Sequence, residues 1–464
     1  MGVKAVKVAS TATDGFNKTI EFEVLHQSHV GVNHNKFYCL EIQYNSSTVE
    51  YRLFSHYGRL GKTNVYDVRG PIASEFEAKK EFDAILKKKK KGKKVKREDG
   101  TTEIESYVKV DTVSPSVGSD NIRKKSSVTV KTVDHIDTTA YSDPSVSKII
   151  DQVIEENIHN ITSNTTLKLT SNGFETPLGP VTKSHVEVAR EPLKTLKALL
   201  YNGALDPSEK AVEIANSVYF SLIPHDFGHK IHESDWILDD VKLLNEFDLL
   251  DQLETAVSMG SAMKNATQRR NALGTEIEVL KDSKEFNRIV RKFETSKADN
   301  HKGSNVWDYE IKRIFTLKIP EERKRWERDS KKYGNKKELF HGSQNCNILS
   351  IMKNGLIIPP CNAGHVTGRM FGDGLYAAHN STKALNYSIG FWSSRQKNKY
   401  RNAFLFLTNF NMGKEHKTYT QLYNGVPKGY DSVHAVKGRG LWNDEYIVYN
   451  LCQSSLFYMC ELER

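Results

Sequence analysis

The sequence predicts a multidomain protein with a small β-rich domain, an all-α helical bundle and an α+β domain, in that order. Its 464 residues exceed what one hydrophobic core usually serves. Short alternating polar and apolar segments, separated by Asn, Gly and Ser, fill the first part of the chain. Apolar residues then recur at helical spacing, and strand and helix patterns mix in the last part.

Composition sets the expected boundaries. Residues 1–15 are small and polar, and we expect a disordered lead there. The β-rich domain is expected over 16–112, followed by a linker rich in Ser, Thr, Val and Asp over 113–140. The helical domain is expected over 141–275 and the α+β domain over 285–464.

The first domain should hold an antiparallel sheet and one helix. Segments such as TIEFEVLHQ and NKFYCLEIQYNSS alternate as strands do, and we expect inward-facing side chains at Phe37, Cys39 and Ile42. Ser74 is a suitable N-cap for the helix that follows. That helix is expected to bury one face, formed by Phe76, Phe82, Ile85 and Leu86.

The helical domain is indicated by an apolar stripe at 3–4 residue spacing, made of Val146, Ile149, Ile150, Val153 and Ile154. Pro192 predicts the start of another helix, because proline is tolerated in a first turn. Two further amphipathic segments are SEKAVEIANSVYFSLI and DVKLLNEFDLLDQLETAVSM. Together these segments predict a bundle.

The last domain places three polar side chains on separate strand-like segments. The predicted strands are NVWDYEIKRIFTLKI, KELFHG, NAFLFLTNF and DEYIVYN, and the predicted helices are CNILSIMKNG and STKALNYSI. His341 and Glu445 lie on two of these strands, and Tyr376 follows the Gly-rich stretch FGDGLYAA. This stretch matches GxGxxA, but a dinucleotide fingerprint should open a helix after the first strand of a βαβ unit, and this one does not.

These residues suit a flat ligand on which positive charge develops. Glycine lets backbone approach such a ligand closely, and Tyr376 and Tyr387 offer rings that stack on it. His341, Gly342 and Ser343 provide side-chain and backbone hydrogen-bonding groups. A buried Glu445 would stabilise a developing positive charge.

Bulk properties narrow the class of protein. Mean hydropathy is −0.56 and no apolar run has the length of a membrane span, so we expect no membrane partner. The five cysteines lack CxxC spacing, so we expect no structural zinc and no disulfide framework. Net charge is +10, and nine of the eleven residues from Lys87 to Arg97 are Lys or Arg. This run is either a solvated surface or a phosphate-binding or nuclear-import segment.

The motifs LFHGS, VTGRMFGDGLYAA and EYIVYN, in this order, resemble the catalytic segments of the poly(ADP-ribose) polymerases. The resemblance implies that NAD is the substrate, with no metal, and that His341, Tyr376 and Glu445 are the catalytic residues. His341 would bond a ribose hydroxyl and the Gly342 backbone would hold the carboxamide beside Ser343. By the same resemblance, Tyr376 and Tyr387 would sandwich the nicotinamide ring, and Lys383 would line the site near Glu445.

The resemblance extends upstream. TPLG and SLIPHDFG resemble pieces of the helical regulatory domain of the DNA-dependent branch, and residues 20–100 resemble its WGR domain, here with Tyr57-Gly58-Arg59. It implies a short member without zinc fingers that binds DNA ends or nicks and modifies proteins, including itself. The nucleic-acid contacts would be Arg59, Lys62, Lys87, Lys88 and Lys89.

Three departures from the family pattern leave alternatives open. Ala384 stands where the family often has a carboxamide-binding serine, and Tyr57 replaces the WGR tryptophan. The stretch before Glu445 is shorter than in the best-known members. The sequence therefore favours a polymerase activated by DNA breaks, with mono-ADP-ribosyl transfer or a catalytically inactive DNA-binding scaffold as alternatives. An accessory protein that completes the site is a further possible partner. The location is expected to be nuclear in a eukaryote, and otherwise the host or bacterial cytoplasm.

Overall fold

The computed structural model describes residues 15–29, 34–59, 65–96, 102–110, 141, 143–170, 173–176, 179–200, 204–227, 231–263, 266–358, 370–389, 402–422, 425–438 and 440–464. The expected disordered lead (apart from Gly15), the expected linker and Lys62 lie outside these residues. The chain forms two compact units, one of 1–132, 162–196 and 205–238, the other of 133–161, 197–204 and 239–464.

The β-rich, helical and α+β regions follow one another along the chain in the predicted order. The strands are β1 (Phe16–His29), β2 (His34–Asn45), β3 (Glu50–Arg59), β4 (Val65–Ile72), β5 (Lys93–Lys96), β6 (Thr102–Glu105), β7 (Val108–Val110), β8 (Lys168–Thr170), β9 (Gly173–Thr176), β10 (Gly179–Pro180), β11 (Glu276–Val279), β12 (Glu310–Lys318), β13 (Lys336–Gly342), β14 (Leu375–Ala377), β15 (Ala403–Asn411), β16 (Glu415–Thr418), β17 (Ser432–Ala435), β18 (Glu445–Val448) and β19 (Ser454–Glu463). The helices are α1 (Glu75–Lys91), α2 (Pro144–Asn164), α3 (Lys183–Leu199), α4 (Lys210–Leu222), α5 (Asp240–Met259), α6 (Ala266–Leu273), α7 (Ser283–Thr295), α8 (Pro320–Asp329), α9 (Asn345–Asn354) and α10 (Ser381–Ser388). The predicted multidomain fold class is confirmed.

The N-terminal sheet is antiparallel, in the order β4-β3-β2-β1-β7, and α1 packs on one face. Strand β2 is buried on both faces, because Leu40 and Ile42 pack with α1 whereas Phe37 and Cys39 belong to a second cluster. This explains why nearly every residue of the strand is apolar or sequestered, a pattern that simple alternation does not predict.

Helix α1 begins as predicted, with the Ser74 hydroxyl accepting from the Glu77 amide. Phe82 and Leu86 are buried and Ile85 is partly buried. The prediction for Phe76 was wrong, because its side chain is 77% exposed. At 100° per residue, Phe76 lies about 120° from Phe82 around the helix, and Ala78 fills the buried stripe instead.

The helical region differs from the prediction in two respects. A small sheet, β10-β9-β8, interrupts the helices. Pro192 does not begin a helix but lies inside α3, which starts after Thr182, whose hydroxyl accepts from the His185 amide. The proline removes a helical bond to the carbonyl of Val188, an exposed position where water can replace it. The predicted apolar stripe of α2 is buried as expected.

In the first unit, α4 is joined to the N-terminal sheet. The Ser28 amide donates to the Ser221 hydroxyl at 2.7 Å, and the buried His26 ring bonds the Ser221 carbonyl. His185 of α3 bonds the neighbouring carbonyl of Leu222 at 2.6 Å. Two imidazoles thus satisfy carbonyls that the last turn of a helix leaves without a backbone partner.

The second unit holds two sheets that position the site. One is antiparallel, in the order β11-β12-β19-β15-β13, and the other is β14-β18-β17-β16. Phe340 of β13 and Ala378, next to β14, exchange both backbone hydrogen bonds at 2.8 Å, which links the two sheets. Since β14 pairs with β18, the link brings together three strands that are far apart in sequence.

Candidate active site

The seven residues predicted to bind NAD or to act in catalysis line one cavity of about 310 Å³. They are His341, Gly342, Ser343, Tyr376, Lys383, Tyr387 and Glu445. They come from β13 and the residue that follows it, β14, α10 and β18, and the link between the two sheets brings β13, β14 and β18 together. Part of its wall comes from α5, through Leu244, Asp248 and Asp251.

His341 is held in one tautomer. Its Nδ1 lies 2.7 Å from the Tyr376 carbonyl oxygen, which accepts only, so Nδ1 carries the proton. Burial lowers the pKa of His341, and this hydrogen bond opposes only part of the effect. The neutral ring therefore leaves Nε2 as a hydrogen-bond acceptor, the role needed to bind a hydroxyl group.

Tyr376 is fixed at both ends. Its carbonyl accepts from His341, and its hydroxyl donates to the Gly372 carbonyl at 2.7 Å and accepts from the Phe371 amide at 3.1 Å. The ring also packs against a buried cluster around Phe371 and Val433. A ring that is held in this way has little side-chain freedom left to lose on contact with a ligand.

Glu445 is 5% exposed and paired. The Lys383 ammonium lies 2.8 Å from its Oε1, and the Tyr387 hydroxyl donates to the same oxygen at 3.4 Å. Burial and the neighbouring carboxylate raise the pKa of Tyr387, so the phenol keeps its proton and remains a donor. The second oxygen, Oε2, takes no part in either of these contacts.

Gly342 lies against the helix that carries the cationic and aromatic groups. A Cβ built there would come 1.9 Å from the Ala384 carbonyl oxygen and 2.9 Å from the Ser388 hydroxyl. Only glycine permits this approach, which brings β13 and α10 into direct contact. Ala384 lines the cavity with a methyl group and supplies no hydroxyl.

His301 belongs to the site's surroundings and was missed from the sequence. Its Nδ1 lies 2.9 Å from the Thr382 hydroxyl, and its Nε2 lies 3.5 Å from the side-chain amides of Asn386 and Asn443. Burial, and then the Lys383 charge, lower the pKa of His301. The ring joins α10 to the residues before Glu445, a long-range contact that no local pattern indicates.

A chain of amides links the helical region to the cavity and was also missed. Asn160 donates to Gln252 at 2.7 Å, and Gln252 donates to Asn347 at 2.7 Å. Asn347 in turn lies 3.1 Å from the Asp248 carboxylate and 3.3 Å from the Ser343 hydroxyl. Packing of α5 is thus connected to a group that lines the cavity.

The predicted nucleic-acid residues occupy varied settings. Arg59 ends β3, and Lys87 and Lys88 are exposed near the C-terminal end of α1. The Lys89 ammonium lies 3.9 Å from the centre of the Tyr38 ring and 5.5 Å from that of Tyr107. Tyr57, the departure from the motif, stacks on Tyr38 at 5.4 Å, so Lys89 is engaged by aromatic rings of its own domain.

The predictions of no metal site, no disulfide and no membrane span can be examined only within the described residues. Within the described ranges, no group of three His, Cys, Asp or Glu side chains is placed to hold a metal ion. Four cysteines in those ranges are buried and form no disulfide within them, and Cys361 lies outside them. None of the helices described has the length and hydropathy that a bilayer span requires.

Comparisons with known families match the domain order. The family described as poly(ADP-ribose) polymerase catalytic domain matches residues 283–440. The poly(ADP-ribose) polymerase regulatory domain matches 143–282, and the WGR domain matches 22–101. The three matches lie in succession along the chain.

Individual relatives agree. Human protein mono-ADP-ribosyltransferase PARP3 is 22% identical, over 89% of this chain and 75% of its own length. Poly [ADP-ribose] polymerase 2 of Arabidopsis thaliana is 27% identical over 78% and 56%, and poly [ADP-ribose] polymerase 1 of Xenopus laevis is 28% identical over 62% and 31%. The chain thus spans about half or less of the length of these last two relatives. With its successive domains, it belongs to the poly(ADP-ribose) polymerase family, the NAD-dependent ADP-ribosyltransferases.

Proposed function

We propose that this chain is a poly(ADP-ribose) polymerase that is activated by DNA strand breaks and modifies proteins, including itself. The observation that carries the proposal is the Glu445 carboxylate, buried in a cavity whose other walls hold a neutral histidine and two tyrosines. Such a cavity suits a flat, charged ring attached to a sugar, the reacting half of NAD.

The proposed reaction breaks the bond between nicotinamide and ribose. Tyr376 and Tyr387 would stack on the nicotinamide ring, and the backbone of Gly342 would bond its carboxamide. His341 Nε2 would accept from a ribose hydroxyl, as its tautomer allows. As the bond lengthens, positive charge grows on the sugar, and a fixed carboxylate stabilises that charge more strongly in a buried site than in water.

Lys383 gives the carboxylate a fixed position. The 2.8 Å ion pair uses Oε1, and the Tyr387 hydroxyl approaches the same atom. Oε2 is then the oxygen proposed to bond the 2′-hydroxyl of the nicotinamide ribose. The same hydroxyl-binding carboxylate would orient an incoming ribose hydroxyl during chain growth, which is why polymer formation is proposed rather than a single transfer.

Control by DNA is proposed from the N-terminal and helical regions. Phosphates would bind the exposed lysines at the end of α1 and Arg59 at the end of β3. The wall contributed by α5 gives the helical region a direct route to the cavity, through Asp248 and the Gln252–Asn347 hydrogen bond. A change in α5 packing would therefore alter NAD binding, which is a coupling between two sites.

The second candidate is mono-ADP-ribosyl transfer. It is favoured by one relative that carries that activity in its name and by the short stretch before Glu445. An accessory protein that completes the acceptor side, and a nuclear location, belong to the proposal as well. A catalytically inactive scaffold is disfavoured, because His341, Tyr376 and Glu445 are all present and line the same cavity.

Labelled NAD separates these candidates. The purified chain is incubated with it, with and without a nicked duplex, and the product is resolved on a gel. A DNA-dependent ladder supports the proposal, and a single discrete band moves the assignment to mono-transfer. No transfer in either lane, from a folded chain that binds the duplex, contradicts both enzymatic candidates.

A further inference from the structure

An exposed aromatic surface lies beside the cavity, and its residues are not among those proposed to hold NAD. Trp442 is 81% exposed and Tyr419 is 61% exposed. Trp442 lies three residues before Glu445, so their Cα atoms are within roughly 11 Å, the reach of three extended residues. Large exposed rings cost free energy in water and are often retained for binding.

The frame that carries these rings is well ordered by hydrogen bonds. The Gly438 amide donates to the Leu441 carbonyl at 2.9 Å, and the Val436 amide donates to the Thr418 carbonyl at 2.9 Å. The Lys437 amide donates to the Asp444 carboxylate at 2.8 Å. The described backbone on either side of the rings is thus already hydrogen-bonded, and ligand binding would order little of it.

The fully exposed charge on this surface is basic. In the described part of 414–444, the exposed charged side chains are Lys414, Lys417, Lys428 and Lys437, and the partly exposed Asp444 carboxylate is held by His434 at 2.7 Å and by the Lys437 amide. The acidic side chains Glu415 and Asp431 are partly buried and have partners. Glu415 pairs with Lys337 at 3.1 Å, and Asp431 accepts from the Lys414 amide at 2.8 Å.

We infer that the surface around Trp442, Tyr419, Lys417 and Lys437 binds a single strand of nucleic acid. Base–aromatic stacking combined with phosphate–lysine contacts is the recognition mode of single-strand binders, and it tolerates any sequence because every base has a π face. A duplex hides the faces of its bases except at its two ends, so the surface would bind unpaired strands more tightly than duplexes. The inference concerns binding alone and does not rest on NAD cleavage.

The test is fluorescence anisotropy of the full chain with a labelled oligo-dT and, separately, a labelled hairpin duplex that is closed by a non-nucleotide linker and so has no unpaired bases. Trp442→Ala should weaken oligo-dT binding about five-fold or more, the low end of what one stacked base contributes. Trp442→Phe should retain most of the affinity, and Lys437→Glu should weaken binding and reduce its dependence on salt. Hairpin binding should stay within about two-fold.

Matched controls separate this effect from general changes. Lys324→Glu alters an exposed lysine of the same unit, on α8, and should leave oligo-dT binding unchanged. Nicotinamide release from NAD by Trp442→Ala should equal that of the wild type, so a failure of the proposed function leaves this test intact. The inference is overturned if Trp442→Ala binds oligo-dT like the wild type or loses hairpin affinity equally. It is also overturned if the variant loses affinity only for free poly(ADP-ribose).

Discussion

Replacement of Gly342 by alanine tests the contact on which the cavity is built. The added Cβ would lie 1.9 Å from the Ala384 carbonyl oxygen, whereas real Cβ contacts essentially never fall below 3.0 Å. The helix must therefore retreat by at least 1.1 Å. Since α10 carries Lys383 and Tyr387, both would move away from Glu445.

The expected loss follows from the displacement. Misplacement of catalytic groups by about 1 Å costs on the order of a hundred-fold in rate. Nicotinamide release measured over a range of NAD concentrations should show that loss in kcat/KM. Gly303→Ala is the matched control, because Gly303 has a positive φ of 78° but open space around its Cβ, so only backbone strain is added. If Gly342→Ala works within about two-fold of the wild type, the close packing of β13 on α10 is not what positions the site.

Three further substitutions each test the environment of one side chain. Ala384→Ser should add a hydrogen bond to the carboxamide, worth about 1 kcal/mol, and lower the nicotinamide inhibition constant about five-fold, and an unchanged constant would remove Ala384 from the carboxamide site. Burial lowers the pKa of His56 to about 4, so the unfolded chain binds the proton first and stability falls as pH drops from 6.5 to 4, by roughly 3 kcal/mol; urea unfolding of His56→Phe should lack that part of the slope. Gln252→Leu should lower the free energy of unfolding by roughly 1–3 kcal/mol, because Asn160 and Asn347 each lose a buried partner, and calorimetry that finds no decrease contradicts the amide chain.

Local patterns predicted the elements that depend on local chemistry. The cap at Ser74, the apolar stripe of α2 and the strands around His341 and Glu445 each follow from residue type and spacing. Phe76 and Pro192 mark the limit of such patterns. An aromatic residue near a helix start was assigned to the buried face, although the helical angle places it elsewhere, and a proline was read as a boundary where burial of the flanking turns outweighs one missing hydrogen bond.

Contacts between distant segments could not be predicted from the sequence. The cavity residues were found only because their motifs resemble a family, since nothing local places β13 beside α10. His301 and the chain from Asn160 to Ser343 join segments 50 or more residues apart through single polar contacts. Such contacts leave no periodic trace, and their side chains look like ordinary surface polar residues in the sequence.

The central claim is that the Glu445 carboxylate stabilises the sugar cation and supports chain growth. The most direct measurement is transfer from labelled NAD by Glu445→Gln in the presence of nicked duplex, beside the wild type and the control Glu461→Gln, another buried glutamate with a basic partner, Arg313. The account predicts that Glu445→Gln loses the ladder and at least about a hundred-fold of the rate of NAD cleavage, while Glu461→Gln retains both if it folds. A normal ladder from a folded Glu445→Gln would contradict it.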